Sequence, residues 1–279
     1  MSAAKSGKII GLSSNDVSNF WYKAGLRGKQ NRVYSIDEHC FDIIDNEYKA
    51  YALGFIASDG CIYNPAQEHK QNIVKIAIKQ IDEEVLQIMR EAVFKTDKPI
   101  NHRHGISTLE ISSNAICQKI EELGLHPNKT YGNTYVQLEE VLMKHFIRGY
   151  FDGDGSISTK CGKDNHTSDV SVAISGYYKN MSKIINCLET YNIFATFCED
   201  KRGRTKDDIF GSLTIPNKIA KYCFLKFLYE DSNIFLKRKK DLALNFFRIV
   251  ENGNSPMDKT IIAYYKNAVL KGSRLTLEL

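Results

Sequence analysis

The chain has 279 residues, 43% of them hydrophobic and 25% charged, which suits one large or two ordinary globular domains and excludes a disordered or fibrous chain. No apolar run approaches the ~20 residues that a bilayer-spanning helix needs, and the N-terminus lacks a signal-peptide core. Seven scattered cysteines without a C-x-x-C pair argue against a disulfide framework or a zinc site, and for a reducing intracellular compartment such as cytoplasm, nucleoid or organelle matrix.

In chain order, residues 1–46 read as an N-terminal extension. Ser13 to Ala24 has the pattern of an N-capped helix closed by Gly25. It resembles the second helix of a helix-turn-helix whose first helix is missing, and a recognition helix without its platform is a poor DNA reader. Arg27, Lys29 and Arg32 follow in a polar linker. Residues 47–138 then predict a helix through Asp59, a strand from Cys61 and an alternating strand Ile73–Lys79. A helix capped by Asp82 comes next, followed by two short strands around His102 and Thr108 and a closing helix opened by Asn114. Residues 139–231 repeat that order: a helix to Asp154, strands at 156–160 and 170–175, a helix 178–191, strands at 195–198 and 209–215, and a helix 217–229. Segment 232–279 predicts two basic helices, 236–250 and 259–271, and its nine Lys/Arg against four Asp/Glu carry the whole net charge of +5. Such a segment can supply sequence-independent phosphate contacts, with Lys237 as its exposed representative. The plain alternative is that Lys237-Arg238-Lys239-Lys240 forms one solvated helix face.

The two halves share a phrase. Tyr51 to Tyr63 slides onto Phe146 to Ser158 with an offset of 95 residues, pairing Gly54 with Gly149, Asp59 with Asp154 and Gly60 with Gly155. Each copy is an apolar helix ending in an acid followed by glycine. An acid at the negative end of a helix dipole is unfavourable, so its placement twice in one context implies a positive partner. A divalent cation is the simplest one, because Mg²⁺ prefers carboxylate oxygens. Ala52, Gly54, Ala57, Gly149 and Gly153 would let the two helices approach backbone to backbone and bring the acids together.

These residues, Leu53-Gly54-Phe55-Ile56-Ala57-Ser58-Asp59-Gly60 and Gly149-Tyr150-Phe151-Asp152-Gly153-Asp154-Gly155, resemble the twin motif of the LAGLIDADG homing endonucleases, in their monomeric two-motif branch. The first copy departs from the pattern at Ala57, where the family has an acid that is not the catalytic one. The resemblance implies an α+β fold: two pseudo-symmetric αββαββα repeats forming a saddle of antiparallel sheets, with the motif helices packed at the interface. It further implies a site-specific double-strand DNA endonuclease of intron homing, acting on a long asymmetric site. Asp59, Gly60, Asp154 and Gly155 would hold Mg²⁺, with Mn²⁺ or Ca²⁺ able to occupy the site.

Members usually place a Lys or Gln near each scissile phosphate. Gln80 fits in the first half. With the second strand aligned at an offset of 96, its counterpart is Gly176, beside Ser175, so Lys218 or Lys201 is expected to substitute. Strand alternation leaves one face of each sheet polar, carrying Tyr63, Lys75, Lys79, Thr108, Glu110 and His102 or Arg103 in the first half. The second half offers Ser156, Ser158, Lys160, Ser171, Arg202, Arg204, Ser212 and Thr214. Donor-rich strands of this kind fit the major groove. The competing reading is a non-catalytic binder on the same fold, an intron RNA maturase or a transcription regulator. Retention of both acids favours the enzyme.

Overall fold

A computed structural model describes residues 3–24, 34–63, 71–126, 134–161, 167–200 and 209–269. The chain divides into two compact units, residues 1–35 and 36–279.

In the first unit, helices α1 (Ala3–Ile10) and α2 (Ser14–Lys23) pack on each other across a turn at Gly11, whose φ of +68° suits a residue without a Cβ. Ser13 caps α2: its Oγ accepts from the Asp16 amide (3.1 Å) and donates to the Asp16 carboxylate (2.6 Å). The partner helix expected to be missing is therefore present. Ser6 and Gly7 hide it in the sequence by weakening the helical signal around them. The linker cations Arg27, Lys29 and Arg32 lie outside the described residues.

The second unit holds the repeats. In the first are α3 (Glu47–Ser58), β1 (Cys61–Tyr63), β2 (Ile73–Lys79), α4 (Glu84–Ile88), β3 (Asn101–Arg103), β4 (Ile106–Ser112) and α5 (Asn114–Glu122). In the second are α6 (Glu140–Asp154), β5 (Gly155–Cys161), β6 (Thr167–Tyr177), α7 (Tyr178–Thr190), β7 (Thr196–Glu199), β8 (Phe210–Thr214) and α8 (Lys218–Tyr229). Helices α9 (Lys237–Glu251) and α10 (Pro256–Tyr264) follow. Each repeat forms a four-stranded antiparallel sheet of the same topology, β1-β2-β4-β3 and β5-β6-β8-β7. This is the expected α+β arrangement of two like halves.

Small differences have local causes. Ser113, not Asn114, caps α5, because its Oγ accepts from the Ile116 amide while Asn114 accepts from Asn72. Asp82 caps nothing; it lies buried in a 3₁₀ turn and accepts from Arg238 (3.0 Å). Helix α4 continues as a π turn over Met89–Val93, so its helical segment is split. Pro256 starts α10 behind the Ser255 cap, earlier than the expected 259.

On the inner faces, Val74, Ile76, Ile78, Leu109 and Ile111 of one sheet, and Val170, Val172, Ile174 and Leu213 of the other, are buried beneath the helices. Alternation leaves the opposite faces open. Helix α3 is buried on every side from Ala50 to Ala57, as a helix apolar all round must be. Its closest packing is with α6.

The strand registers correct the alignment of the halves. Cys61 pairs with Lys75, and its counterpart Ser156 pairs with Ala173, so β2 maps onto β6 with an offset of 98 rather than 96. A pattern of period two reads the same after a shift of two residues, which is why the sequence cannot separate these registers.

Candidate active site at the paired helix ends

The site begins with glycine. A Cβ at Gly54 would overlap the carbonyl oxygen of Phe146, and a Cβ at Gly149 would overlap that of Tyr51. Phe146 and Tyr51 are themselves counterparts, so the contact is symmetric and is backbone on backbone. One turn further on, Gly153 faces the Ser58 hydroxyl, and a Cβ there would sit 3.3 Å from the Asp59 nitrogen. The two helix ends therefore meet directly before Asp59 and Asp154. Both acids are solvent-exposed, in contrast to the buried helices that carry them.

Helix α3 closes on itself: the Asp59 and Gly60 amides both donate to Phe55 (3.0 and 3.2 Å). Helix α6 closes likewise, the Gly155 amide donating to Phe151, and carries a cation as well. Lys239 of α9, 2% exposed, sends its ammonium to the carbonyl oxygens of Phe151 (2.6 Å), Asp152 (2.8 Å) and Gly155 (2.5 Å). Burial pulls the Lys239 ammonium down to about 8, opposed by the nearby charges of Asp152, Asp59 and Asp154. This cation was expected on a DNA-facing or solvated surface, and it lies instead under the motif. Arg238 is held by Asp82, and Lys240 by Ser232. Of the basic run, Lys237 is the most exposed, at 71% against 53% for Arg238, and it pairs along its helix with Asp241.

Asp152 is buried and structural. Its carboxylate accepts from Tyr51 (2.7 Å), Tyr229 (2.7 Å) and the Leu236 amide (2.8 Å), and burial raises its pKa while these donors lower it. Arg148, also buried within α6, donates to the Ile234 and Leu228 carbonyls and to Glu47.

The donor set fits a hard cation. An exposed aspartate stands at each of the two packed helix ends, and among the described residues no group of three His, Cys, Asp or Glu forms a cage. One or two carboxylates completed by water and phosphate is how Mg²⁺ is usually held. The Gly155 oxygen, expected as a ligand, is engaged by the Lys239 ammonium. A second cation at that oxygen would be repelled, so the expectation that Gly155 contributes a ligand does not fit this geometry.

Gln80 follows β2 and is exposed, its backbone N–H donating to the Gly105 carbonyl (2.8 Å). In the second half the Tyr178 amide donates to Ile209 (2.8 Å). The corrected register and this matching bond make Tyr178, not Gly176 or Ser175, the counterpart of Gln80. Tyr178 is 49% exposed, with its ring edge against Phe197. The Lys218 ammonium is engaged by the buried Asp258 at 2.8 Å in the packing of α8 against α10, which is what the structure shows for this expected substitute. Lys201 lies outside the described residues.

The open face of the first sheet carries Tyr63, Lys75, Lys79, Thr108 and Glu110, with Lys75 and Glu110 paired across strands at 3.2 Å. Arg103 pairs with Ile106 and shares that face, whereas His102 stands opposite Ser107 on the helix side, bonded to Glu83. On the second sheet Ser156, Ser158, Lys160, Ser171, Ser212 and Thr214 share the open face. Arg202 and Arg204 lie outside the described residues.

Residues 142–226 match the LAGLIDADG-like domain family. The chain has the two-motif LAGLIDADG fold. Among solved structures it is similar to the LAGLIDADG homing endonuclease I-LtrWI bound to target DNA, with a TM-score of 0.50 and 12% identity over 79% of this chain and 97% of that one. It is also similar to I-GzeII in complex with its DNA target (0.51, 12%, 80% and 98%). A third is the meganuclease I-SmaMI bound to uncleaveable DNA (0.50, 15%, 82% and 98%). No curated protein matches the chain. At such identities the likeness is one of fold, and the LAGLIDADG reading of this chain also rests on the family match and on its own twin motif.

Proposed function

We propose that this protein is a sequence-specific DNA endonuclease that hydrolyses one phosphodiester on each strand of a long asymmetric site as a monomer. The observation that carries the reading is the pair Asp59 and Asp154, exposed at the ends of two helices whose glycines bring them together, each beside a polar sheet face. A soluble binder has no need of two carboxylates at the point nearest the DNA phosphates, where they would repel the ligand.

The chain's own residues have defined tasks. The polar strand faces, with Lys75, Lys79, Arg103 and Lys160 for phosphates and the Ser, Thr and Tyr side chains for base edges, orient the duplex. The α3–α6 contact fixes the separation of the two acids, which hold a divalent cation. When bound, such a cation polarises the phosphate, lowers the pKa of water and neutralises the leaving oxygen. Gln80 and Tyr178 each present a hydrogen-bonding group beside their half of the site, positioned to orient water or phosphate.

The test is Mg²⁺-dependent cleavage of a randomised duplex library, with the Asp59→Asn/Asp154→Asn double variant alongside. Linear products with a shared sequence, made only by the wild type, are expected. Enrichment of one duplex, or of an RNA, without cleavage would replace the nuclease by a binder on the same fold.

A further inference from the structure

Segment 232–251 is built into the second half-site. We propose that Lys239 is a positioning residue for Asp154, acting through the backbone on both sides of it. The proposal rests on the nuclease reading above.

Three observations carry it. The ammonium bonds the carbonyls of Phe151, Asp152 and Gly155, which bracket Gly153-Asp154. All three ammonium protons are thereby used, so the side chain holds the backbone and leaves the Asp154 carboxylate outward and exposed. Second, the Asp152 carbonyl lies in the last turn of α6, where carbonyls without an intrahelical donor concentrate negative potential, while Phe151 accepts from the Gly155 amide as well and Gly155 opens β5. A buried cation there lets an acid project from the same end at less electrostatic cost. Third, the segment delivering Lys239 is itself tied to the motif: the Leu236 amide donates to Asp152, and Arg148 donates to Ile234. Lys239 thus cannot swing away without breaking the anchorage of α6. Its bonds all go to α6 and β5, so its loss should disturb Asp154 more than Asp59, which only its charge reaches.

The experiment follows each strand separately. A duplex carrying the selected site is labelled differently on its two strands and cut by wild type, Lys239→Met and Lys239→Arg. The ratio of the two strand rates is independent of how much protein is folded, since unfolded molecules cut neither strand. In Lys239→Met the ratio should shift by about tenfold or more, with Lys239→Arg intermediate. Hydrogen exchange is read in parallel on peptides spanning 150–158 and 55–63, where only the former should exchange faster.

An unchanged ratio, with wild type cutting both strands, would overturn the proposal even if exchange rises, because Lys239 would then be packing alone. Absence of any cleavage by the wild type would sink the nuclease reading instead. The exchange data would then decide only whether Lys239 fixes the backbone around Asp154: a rise confined to 150–158 supports that, and a uniform or absent rise overturns it. Should Lys239→Met yield no folded protein, the same ratio from Lys239→Arg settles the question.

Discussion

Replacing Gly149 by alanine tests whether the two acids are placed by backbone contact between α3 and α6. In an exposed helix this change gains about 1 kcal/mol from helix propensity. Here the new methyl group meets the Tyr51 carbonyl and lies 2.9 Å from the Phe55 nitrogen, and neither can rotate aside as a side chain would. The helices must separate, and overpacking of a well-fitted core costs about 3 kcal/mol or somewhat more when no rotamer relieves it. The net expectation is a loss of about 2 kcal/mol. In a domain of this size that lowers Tm by about 4–8 °C. A shift of the acids of roughly 1 Å should lower cleavage by about 100-fold. Gly54→Ala should behave alike, because its methyl meets Phe146 in the matching place. One separation relieves both overlaps, so the double variant should cost less than the sum of the singles by about 1–2 kcal/mol. Denaturant unfolding of the four proteins, with strand cleavage on the same preparations, measures this. A Gly149→Ala protein as stable and as active as wild type would show that the helices are not in the contact described.

Tyr178→Phe and Gln80→Ala should each slow cleavage of one strand by about tenfold, and the affected strands should differ. Strand-resolved rates check this, and slowing of the same strand by both would refute the pairing of these residues as counterparts. Lys218→Met should cost about 1 kcal/mol near pH 7, because it removes the partner of buried Asp258. The Lys218 bond, with Ser255, holds the Asp258 carboxyl below its usual value of 3.8, so this stabilisation is present above about pH 4 and is lost as pH falls through the lowered folded value. Unfolding curves of wild type and variant should therefore converge in strong acid; a gap that persists there would show packing and not the ion pair.

The pairing of the two motif helices could be read from the chain because its signals are local. The offset of 95 between Asp59 and Asp154 depends on residues within two helix turns of each acid. The glycines that allow contact are in the same phrase. The strand alignment failed for a different reason: alternation has period two, and only hydrogen-bond register distinguishes an offset of 96 from one of 98. That hid Tyr178. The roles of Arg148, Asp152 and Lys239 were hidden because each is decided by a partner some 80 residues or more away in sequence. A charged residue in a motif helix or a cationic run in a tail looks the same whether it faces water or a buried carbonyl.

The differences between the two motif copies point to the same C-terminal segment. Where the first copy has Leu53 and Ala57, the second has Arg148 and Asp152 at the same offset. Both charged residues are buried, and both turn toward the chain that follows the second repeat: Arg148 to the Leu228 and Ile234 carbonyls, Asp152 to Tyr229 and the Leu236 amide. Their burial is tolerable because residues 228–239 supply the partners. Read from sequence, deletion of 232–279 should only flatten the salt dependence of DNA binding, as loss of a basic arm would. The structure gives a different expectation. Truncation after Asp231 removes the Leu236 amide and the Lys239 ammonium from α6 and opens Arg148 on one side. Stripping a buried charge of its partners costs about 3–5 kcal/mol, a large part of the stability of an ordinary domain. The truncated chain should therefore lose cooperative unfolding in its second half, with rapid proteolysis within residues 140–229. Recovery of a folded truncation whose only defect is a shallower salt slope would return the segment to the role of a phosphate-binding arm and remove it from the site.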